Sequence, residues 1–279
     1  MKYILTNIFI FIVLFSATAQ NLHLSFFAGF SNYQGDLQDK GFTLQESHPA
    51  VGLGILYELT EKFYARANVN FGKISGDDKK VSKNAVRNLS FASPVTDIHA
   101  GLEYHILNIY EHRLVPYVFA GISYFSFNPS AKDTLGRTIY LQPLSTEGQG
   151  FYQGRKKYQL GQLAIPFGGG IKFAFNDNVQ LGFEIGMRKT NTDYLDDVST
   201  TYIDRLVLLA NRGQQAVNMA FRGNELNVGL VYPSDGTQRG SAKSKDWYYF
   251  SGITLSIRLN GNRDDAGRVN KTGCPTNIY

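Results

Sequence analysis

Three carboxylates stand close together in the polar run RKTNTDYLDDVST, at Asp193, Asp196 and Asp197. Oxygen ligands of this kind could bind a hard cation, but the D-x-D-x-D-G spacing of an EF-hand loop is absent. The alternative is a solvated rim loop or a helix start, in which residues 196–199 cap an apolar run over 203–210 that Gly213 terminates. We predict the rim loop and the helix, and no metal site.

A second group of side chains has the types that nucleophilic catalysis requires, a hydroxyl and a base within hydrogen-bond reach. These residues share faces of strand-like runs: His23 with Ser25, and Asp97 with His99, Glu103 and His105. Both faces belong to the polar side of the predicted sheet, where opposite charges pair with one another. We therefore predict no catalytic residue, no cofactor and no enzymatic activity.

Apolar and polar residues alternate with a period of two in the elements that carry these groups, which predicts β-strands. In the segment 63–71, Phe, Ala, Ala, Val and Phe occupy the odd positions, whereas Tyr, Arg, Asn and Asn occupy the even ones. Each run has roughly the nine to eleven residues that a tilted strand needs to cross a bilayer. Eight runs are present, at 22–31, 49–58, 63–71, 95–107, 115–127, 162–175, 179–188 and a last one that ends at Leu259.

The connections between these runs alternate strictly in length. Short ones lie near 59–61, 110–113 and 176–178, and long ones run over about 32–48, 73–94, 128–161 and 190–246. Outer-membrane barrels have short periplasmic turns and longer external loops, whereas a soluble β-sandwich has no reason to keep this order. We predict an all-β fold, an eight-stranded antiparallel transmembrane β-barrel with its long loops on one side.

Charged residues recur on one face of the predicted strands, at Arg66, Glu103, Lys172, Glu184, Arg188 and Arg258. Placing them against hydrocarbon would cost too much, so they are expected to line the barrel interior. Side chains fill the lumen of an eight-stranded barrel, and opposite charges inside it pair. We predict a plugged barrel that cannot conduct a folded protein.

The first residues resemble a secretory signal peptide, with Lys2, an apolar stretch over 4–15 and a small-residue cleavage site before Gln20. Removing Lys2 lowers the formal net charge from +5 to +4, which gives no support to nucleic-acid binding. A single cysteine, Cys274, excludes an internal disulfide framework. We predict a signal peptide over 1–19, a barrel over 20–259 with a capping loop at 190–246, and a periplasmic tail over 260–279.

Several sequence blocks keep a fixed order along the chain: GKISGDD, RNLSF, LQPLSTEGQG, QLAIPFGGGIKF, RKTNTDYLDDVST, RG and DWYYF. Together they resemble the PorG-like family of outer-membrane β-barrels, which is associated with the type IX secretion system. The closing Cys274-Pro275 pair is similar to that family as well. One departure is Ser145, where the family pattern leads us to expect glycine.

The resemblance implies a non-catalytic outer-membrane component that associates with a periplasmic ring built from a PorK-type lipoprotein and its PorN-type partner. The turns and tail on the periplasmic side would then supply the contacts: Glu61, Arg113, Asp177, Arg263, Asp264, Asp265 and Cys274. The blocks that carry the resemblance lie mainly in the long connections. Either they build a cap on the outer side, or the usual orientation is inverted.

Two other functions remain open at this point. A surface adhesin or ligand-binding barrel would use the same long loops and would need no ring. A lipid A-modifying enzyme, a role that some eight-stranded outer-membrane barrels have, would require His23 or His99 for turnover.

Overall fold

The computed structural model describes residues 22–259, except 39–42, 44–45, 81–83 and 227–228. The predicted signal peptide and C-terminal tail lie outside these residues. The elements are β1 (Leu22–Gln34), β2 (His48–Glu58), β3 (Phe63–Asp77), β4 (Ser90–His105), β5 (Leu114–Phe127), β6 (Ser130–Lys132), β7 (Thr138–Tyr140), β8 (Gly161–Ala174), β9 (Val179–Thr190), α1 (Arg205–Ala220) and β10 (Trp247–Arg258). Short 3-10 turns cover Asp78–Lys80, Gln142–Leu144 and Gly223–Glu225.

Eight of the strands form a closed antiparallel barrel in the order β3-β2-β1-β10-β9-β8-β5-β4, and pairing of β3 with β4 closes it. This confirms the predicted fold class. The alternation of apolar and polar residues sets the register, since a shift of one residue would turn every charged side chain towards lipid. The β6–β7 hairpin was not predicted, because strands of three residues are too short to show a period. It extends β4 at the rim, where Ser130 pairs with Ala92.

The connections have the predicted order of lengths. Short ones span 59–62, 106–113 and 175–178 at one end of the barrel, and long ones span 35–47, 78–89, 128–160 and 191–246 at the other. The first and last described strands meet at the short end, where the Leu259 amide donates to the Leu22 carbonyl at 2.8 Å. Among the described helices, none has both the length and the apolar composition needed to span a membrane.

The outer wall of the barrel is an exposed apolar belt that all eight barrel strands supply. Its members include Phe26, Val51, Leu53, Phe71, Ile98, Leu102, Val118, Ile122, Leu163, Ile171, Phe183 and Ile253. Soluble monomers rarely expose continuous apolar surfaces beyond a few hundred Å². The belt therefore matches the hydrocarbon of a bilayer, as expected for a transmembrane barrel.

We expect Ile122→Arg to destabilise the barrel by about 2–4 kcal/mol, the cost of an arginine on the lipid face near the bilayer midplane. Ile122 lies near the middle of β5 and is 68% exposed. The matched control is Leu135→Arg, because Leu135 is 74% exposed but lies in the β6–β7 turn, outside the belt. Urea unfolding of both variants in lipid vesicles checks this, and equal losses would contradict a lipid-facing belt.

The barrel interior is polar, and its charges occur in paired layers. Near the short end, Arg258 donates to Glu58 at 2.7 Å. Farther in, Lys172 pairs with Glu103, and Arg66 makes two hydrogen bonds to Glu184, at 3.0 and 3.1 Å. Nearest the long loops, Arg188 donates to Asp97 at 3.2 Å. The six charged residues predicted for the lumen all lie buried in these layers: Arg66, Glu103, Lys172, Glu184, Arg188 and Arg258.

Glycines in β8 allow aromatic side chains to fill the remaining lumen space. A Cβ atom on Gly170 would lie 2.9 Å from the Tyr117 ring, and one on Gly168 would lie 3.0 Å from the Phe119 ring. Phe119 in turn packs over the Arg66 guanidinium, whose Cζ lies 4.0 Å from the ring centroid. Side chains therefore fill the interior, as the sequence predicts.

Candidate functional site

The four long connections fold together into a cap at one end of the barrel. The cap comprises the described residues of 35–47, 78–89, 128–160 and 191–246. An apolar cluster joins it to the barrel mouth, and its members include Tyr33, Leu37, Ile74, Phe91, Phe125, Leu195, Val198 and Tyr248. The cap is thus a packed layer of the fold.

The predicted helix exists within the cap, but its boundaries were wrong. α1 begins at Arg205, and the N-cap is Asp204, whose side chain accepts hydrogen bonds from the amides of Leu206 and Val207. Gly213 adopts φ +80° and interrupts the helix, which then continues to Ala220. The predicted cap at 196–199 failed because those residues bond to other loops of the cap.

The prediction of a solvated rim loop was also wrong, because Asp193, Asp196 and Asp197 are all buried. Asp196 accepts a hydrogen bond from the Tyr33 hydroxyl at 2.6 Å, and Asp197 accepts one from the Tyr158 hydroxyl at 2.7 Å. Tertiary contacts between distant segments therefore position these carboxylates, which local sequence patterns do not reveal.

A buried ion pair between Glu147 and Arg239 lies beside Asp197. Arg239 donates to the Glu147 carboxylate at 2.9 Å and to the backbone carbonyl of Asp197 at 2.5 Å. The Glu147 carboxylate also accepts from the amides of Ser199 and Thr200, both at 2.9 Å. This pair joins the 128–160 connection to both halves of the 191–246 connection.

Two further arginines join loops of the cap: Arg87 connects the 35–47 and 78–89 connections to the 191–246 connection, and Arg155 strengthens the link between the 128–160 and 191–246 connections. Arg87 forms a bidentate ion pair with Asp78, with hydrogen bonds of 2.7 and 2.8 Å. It also donates to the backbone carbonyls of Asp36 and Arg239. Arg155 donates to the Glu147 and Thr201 carbonyls at 2.6 and 2.9 Å. Planar guanidinium groups suit such bridging because each offers five donors in a fixed geometry.

The network consists largely of the sequence blocks identified above. Asp78 ends GKISGDD, Arg87 begins RNLSF, Glu147 belongs to LQPLSTEGQG and Arg239 belongs to RG. Sequence analysis did not single out these four residues individually. The available signal was that two blocks supply these acidic residues and two others supply these arginines, and that buried charges require partners.

A single hydroxyl lies between two buried carboxylates. Tyr33 is 2.6 Å from Asp196 and 3.2 Å from Asp246, although it has only one proton to donate. A proton on one of the two carboxyl groups would supply the second hydrogen bond of this arrangement. Consistent with this, burial raises the pKa of both Asp196 and Asp246 above the ordinary range, and nearby acids raise it further.

The Asp193 carboxylate is buried in the cap without hydrogen bonds from the described residues. Among the described residues, neither of its side-chain oxygens has a hydrogen-bond partner. Burial raises the pKa of Asp193 to about 7, the charges of Asp36 and Glu147 also raise it, and the charge of Lys245 offsets part of the effect. Within the described part of the chain, no three His, Cys, Asp or Glu side chains are arranged to hold a metal ion.

We expect the cap to lose stability as the pH rises from about 4 to about 7, because the raised pKa of Asp193 favours its protonated form in the folded cap. At a pH below the pKa that Asp193 has in the unfolded chain, its contribution to cap stability is fully present. As the pH rises through its higher pKa in the folded cap, Asp193 ionises and this contribution is lost. Asp193→Asn should therefore protect the cap at pH 8 and reduce this pH dependence. Limited proteolysis at pH 5 and pH 8 measures it, with Asp235→Asn, at an exposed cap carboxylate, as the control. Equal protection of both variants at pH 8 would refute the role of Asp193.

The backbone conformation at Ser145 explains why glycine is expected at this position. Its backbone adopts φ +49°, in the left-handed region that glycine favours, and its side chain is buried. We expect Ser145→Gly to be neutral or to stabilise the cap by up to about 1 kcal/mol. The control is Gly148→Ala, since a Cβ atom there would lie 2.6 Å from Tyr152 and Gly148 has φ +80°. Compared with the parent, proteolysis of the cap should be equally fast or slower for Ser145→Gly and faster for Gly148→Ala. Faster cleavage of Ser145→Gly than of the parent would contradict the strain assigned to position 145.

The residues considered for catalysis lie in the barrel lumen. His99 is 3.0 Å from Asp97, His105 is 2.8 Å from Glu103, and His23 is 3.9 Å from Glu58. All of these side chains, and that of Ser25, are buried. This position separates the histidines from the lipid face of the barrel.

The residues considered for partner contacts are dispersed. Glu61 and Arg113 are exposed in the first and second short turns, and Asp177 is half-buried in the third. Glu61 accepts a hydrogen bond from Asn108 at 2.7 Å. Arg263, Asp264, Asp265 and Cys274 lie outside the described residues. The three turns nevertheless face the same side, opposite the cap.

A family profile described as a domain of unknown function, DUF6089, matches residues 2–208. The chain belongs to the DUF6089 family. The matched residues include β1 to β9 and the Asp193–Asp197 segment of the cap, whereas Arg239 and Asp246 follow them. No curated protein matches this DUF6089 chain.

Solved structures similar to this DUF6089 chain include the Neisserial surface protein A, at 9% identity and TM-score 0.41, covering 86% of this chain and 97% of that one. Ail of Yersinia pestis, in complex with the heparin analogue sucrose octasulfate, shares 9% identity at TM-score 0.41 and covers 85% and 97%. The outer membrane protein OprG from Pseudomonas aeruginosa shares 10% identity at TM-score 0.41 and covers 86% and 98%. The barrel assignment itself depends on the strand pairing.

Proposed function

We propose that this protein is a non-catalytic outer-membrane component of the type IX secretion system, a PorG-like barrel that associates with the periplasmic ring of a PorK-type lipoprotein and its PorN-type partner. The observation that carries the proposal is the combination of an apolar belt with a lumen filled by buried ion pairs. Such a barrel can anchor an assembly in a membrane. The sequence blocks provide the link to type IX secretion.

The cap network supports contact through the short turns. The blocks that carry the resemblance supply buried residues such as Asp78, Glu147 and Asp197, whose hydrogen bonds are made within the cap. Their sequence is therefore accounted for by the folding of the cap. A ring on the opposite side would meet Glu61, Arg113 and Asp177, together with the tail.

The first experiment determines topology. Single cysteines at Asn176, in a short turn, and at Leu135, in the cap, are labelled in intact cells with a membrane-impermeant reagent in a Cys274→Ser background. Both positions are exposed, whereas Asp196 is too deeply buried to label. Labelling at 135 alone places the turns in the periplasm. Labelling at 176 alone inverts the barrel and overturns ring contact through the turns.

The second experiment tests the partner directly. A tagged barrel should retain the PorK-type lipoprotein during purification from membranes. The charge-reversal variant Glu61→Lys, Arg113→Glu, Asp177→Lys should retain less, whereas reversal of the exposed cap residues Arg137 and Asp235 should have no effect. Failure of the parent barrel to retain any ring protein would overturn the proposal.

A surface adhesin or ligand-binding barrel is the second candidate, and a groove in the cap favours it. The groove has a volume of about 400 Å³, lies between α1 and the 230–235 segment, and includes Asp204, Gln214, Asn218 and Tyr232. Retention of no ring protein by a correctly oriented barrel would support this function. A lipid A-modifying enzyme predicts altered lipid A in a deletion strain and restoration that depends on His23 or His99.

A further inference from the structure

The outer wall of the barrel changes character near the cap. Outward side chains in the belt are exposed, as Phe30 is at 52%. By the same alternation, Asn32 on β1 and Tyr249 on β10 point outward, yet each is only 3% exposed. Part of the cap must therefore cover them.

Two described residues of the 35–47 connection, Thr43 and Ser47, lie over this part of the outer wall. The Ser47 hydroxyl donates to the Asn32 side chain at 3.0 Å, and the Thr43 amide donates to the Tyr249 hydroxyl at 3.3 Å. Asn32 and Tyr249 are direct neighbours across the β1–β10 pair. Thr43 and Ser47 thus face the outer wall at the upper edge of the belt.

A groove of about 530 Å³ lies at this position, within the roughly 300–1,000 Å³ typical of ligand sites. Its floor is Ser251, which pairs with Phe30 on one side and with Ile185 on the other. Because a small side chain lies between two large ones, a groove runs along the outer wall. Phe183 extends the apolar part of the groove, and Asn32 and Tyr249 lie at its cap end.

The residues that line the groove are uncharged, and they change from apolar to polar along its length. Phenylalanine and isoleucine form the end that opens onto the belt, and amide and hydroxyl groups form the end nearest the cap. An acyl chain joined to its headgroup by an ester or amide has the same order of apolar and hydrogen-bonding parts. Because the groove is continuous with the lipid-facing belt, its surroundings supply such chains at high concentration.

We propose that this groove is a binding site for one acyl chain of a membrane lipid, with the ester or amide group of that lipid beside Ser251. The site differs from the lumen, the cap network and the short turns. It requires a barrel embedded in a membrane and does not depend on the secretion role.

The test counts lipids that remain bound. The full-length barrel is reconstituted with phosphatidylethanolamine, extracted into detergent and examined by native mass spectrometry. Ser251→Phe should fill the groove and lower the fraction of barrels that retain a lipid at least fivefold. The matched control is Ala28→Phe, which adds the same ring to an exposed position of the belt outside the groove and should leave retention unchanged.

Several outcomes would overturn the proposal. One is undiminished retention by Ser251→Phe, and another is equal losses in both variants. If Ser251→Phe does not fold, Ser251→Val provides a smaller change with the same expected direction. Phosphatidylglycerol should be retained equally, because the lining is uncharged, and strong preference for one headgroup would refute acyl-chain recognition. A photoreactive residue at position 251 should crosslink to lipid in cells, whereas crosslinking to a protein would assign the groove to a partner.

Discussion

Replacing Arg66 with methionine is expected to lower the free energy of unfolding of the barrel by about 3–5 kcal/mol, because it leaves a buried carboxylate without its cation. Arg66 donates twice to Glu184 and once to Glu103, the latter at 3.3 Å. In the variant, Glu103 keeps Lys172, whereas Glu184 keeps the Tyr117 hydroxyl at 2.8 Å and loses its ion pair. Urea unfolding in lipid vesicles, followed by fluorescence of Trp247, the single tryptophan, measures the loss.

Two further variants separate the lost ion pair from lost packing. Adding Glu184→Gln to Arg66→Met should recover part of the loss, since the unpaired charge is then gone. Arg113→Met, at an exposed turn position, should change the unfolding free energy by less than about 0.5 kcal/mol. If the double variant were no more stable than Arg66→Met alone, packing over Phe119 would explain the effect instead.

Replacing Arg239 with methionine is expected to open the cap while the barrel stays folded. The buried Glu147 carboxylate would lose its cation, at a cost of about 3–5 kcal/mol, and the loops that Arg239 connects would separate. Stability is local, so the effect should appear as faster hydrogen exchange in the cap. The amides of Ser199 and Thr200, which donate to Glu147, should exchange roughly a hundredfold faster or more.

The controls for this variant use the same residue type in other settings. Arg239→Lys keeps the charge but loses the planar fork, so it should give an intermediate effect. Arg137→Met removes an exposed i,i+4 pair with Asp133 and should leave exchange at Ser199 and Thr200 unchanged. Parent-like exchange in Arg239→Met would contradict the clamping role of the arginine.

The two variants also separate the two parts of the molecule. Arg66→Met acts on the barrel and should shift the unfolding midpoint, whereas Arg239→Met acts on the cap and should leave that midpoint close to the parent value. A protein whose cap and barrel unfold together would show both changes in both variants. The result therefore decides whether the cap is an independent cooperative unit.

The amino-acid sequence by itself determined the barrel. Strand alternation arises from local backbone geometry, in which successive side chains point to opposite faces, so a charge such as Arg66 or Glu184 is assigned to the lumen without knowledge of its partner. Loop lengths are equally local and predicted which end carries the cap. Even β5, with apolar residues on both faces, follows the pattern, because its inward Phe119 covers a buried guanidinium.

Only the tertiary structure decided the cap. Glu147 and Arg239 are separated by 92 positions, and Tyr33 and Asp196 by 163, so no local period relates them. Asp193, Asp196 and Asp197 have the composition of a solvated loop, but all three are buried, and hydrogen bonds from β1 and from the 128–160 connection hold Asp196 and Asp197. The contacts of Thr43 and Ser47 are a further example, because only the assembled wall shows that Asn32 and Tyr249 are covered. Local patterns specify which face of a strand is polar, whereas the meeting of distant loops depends on the complete fold.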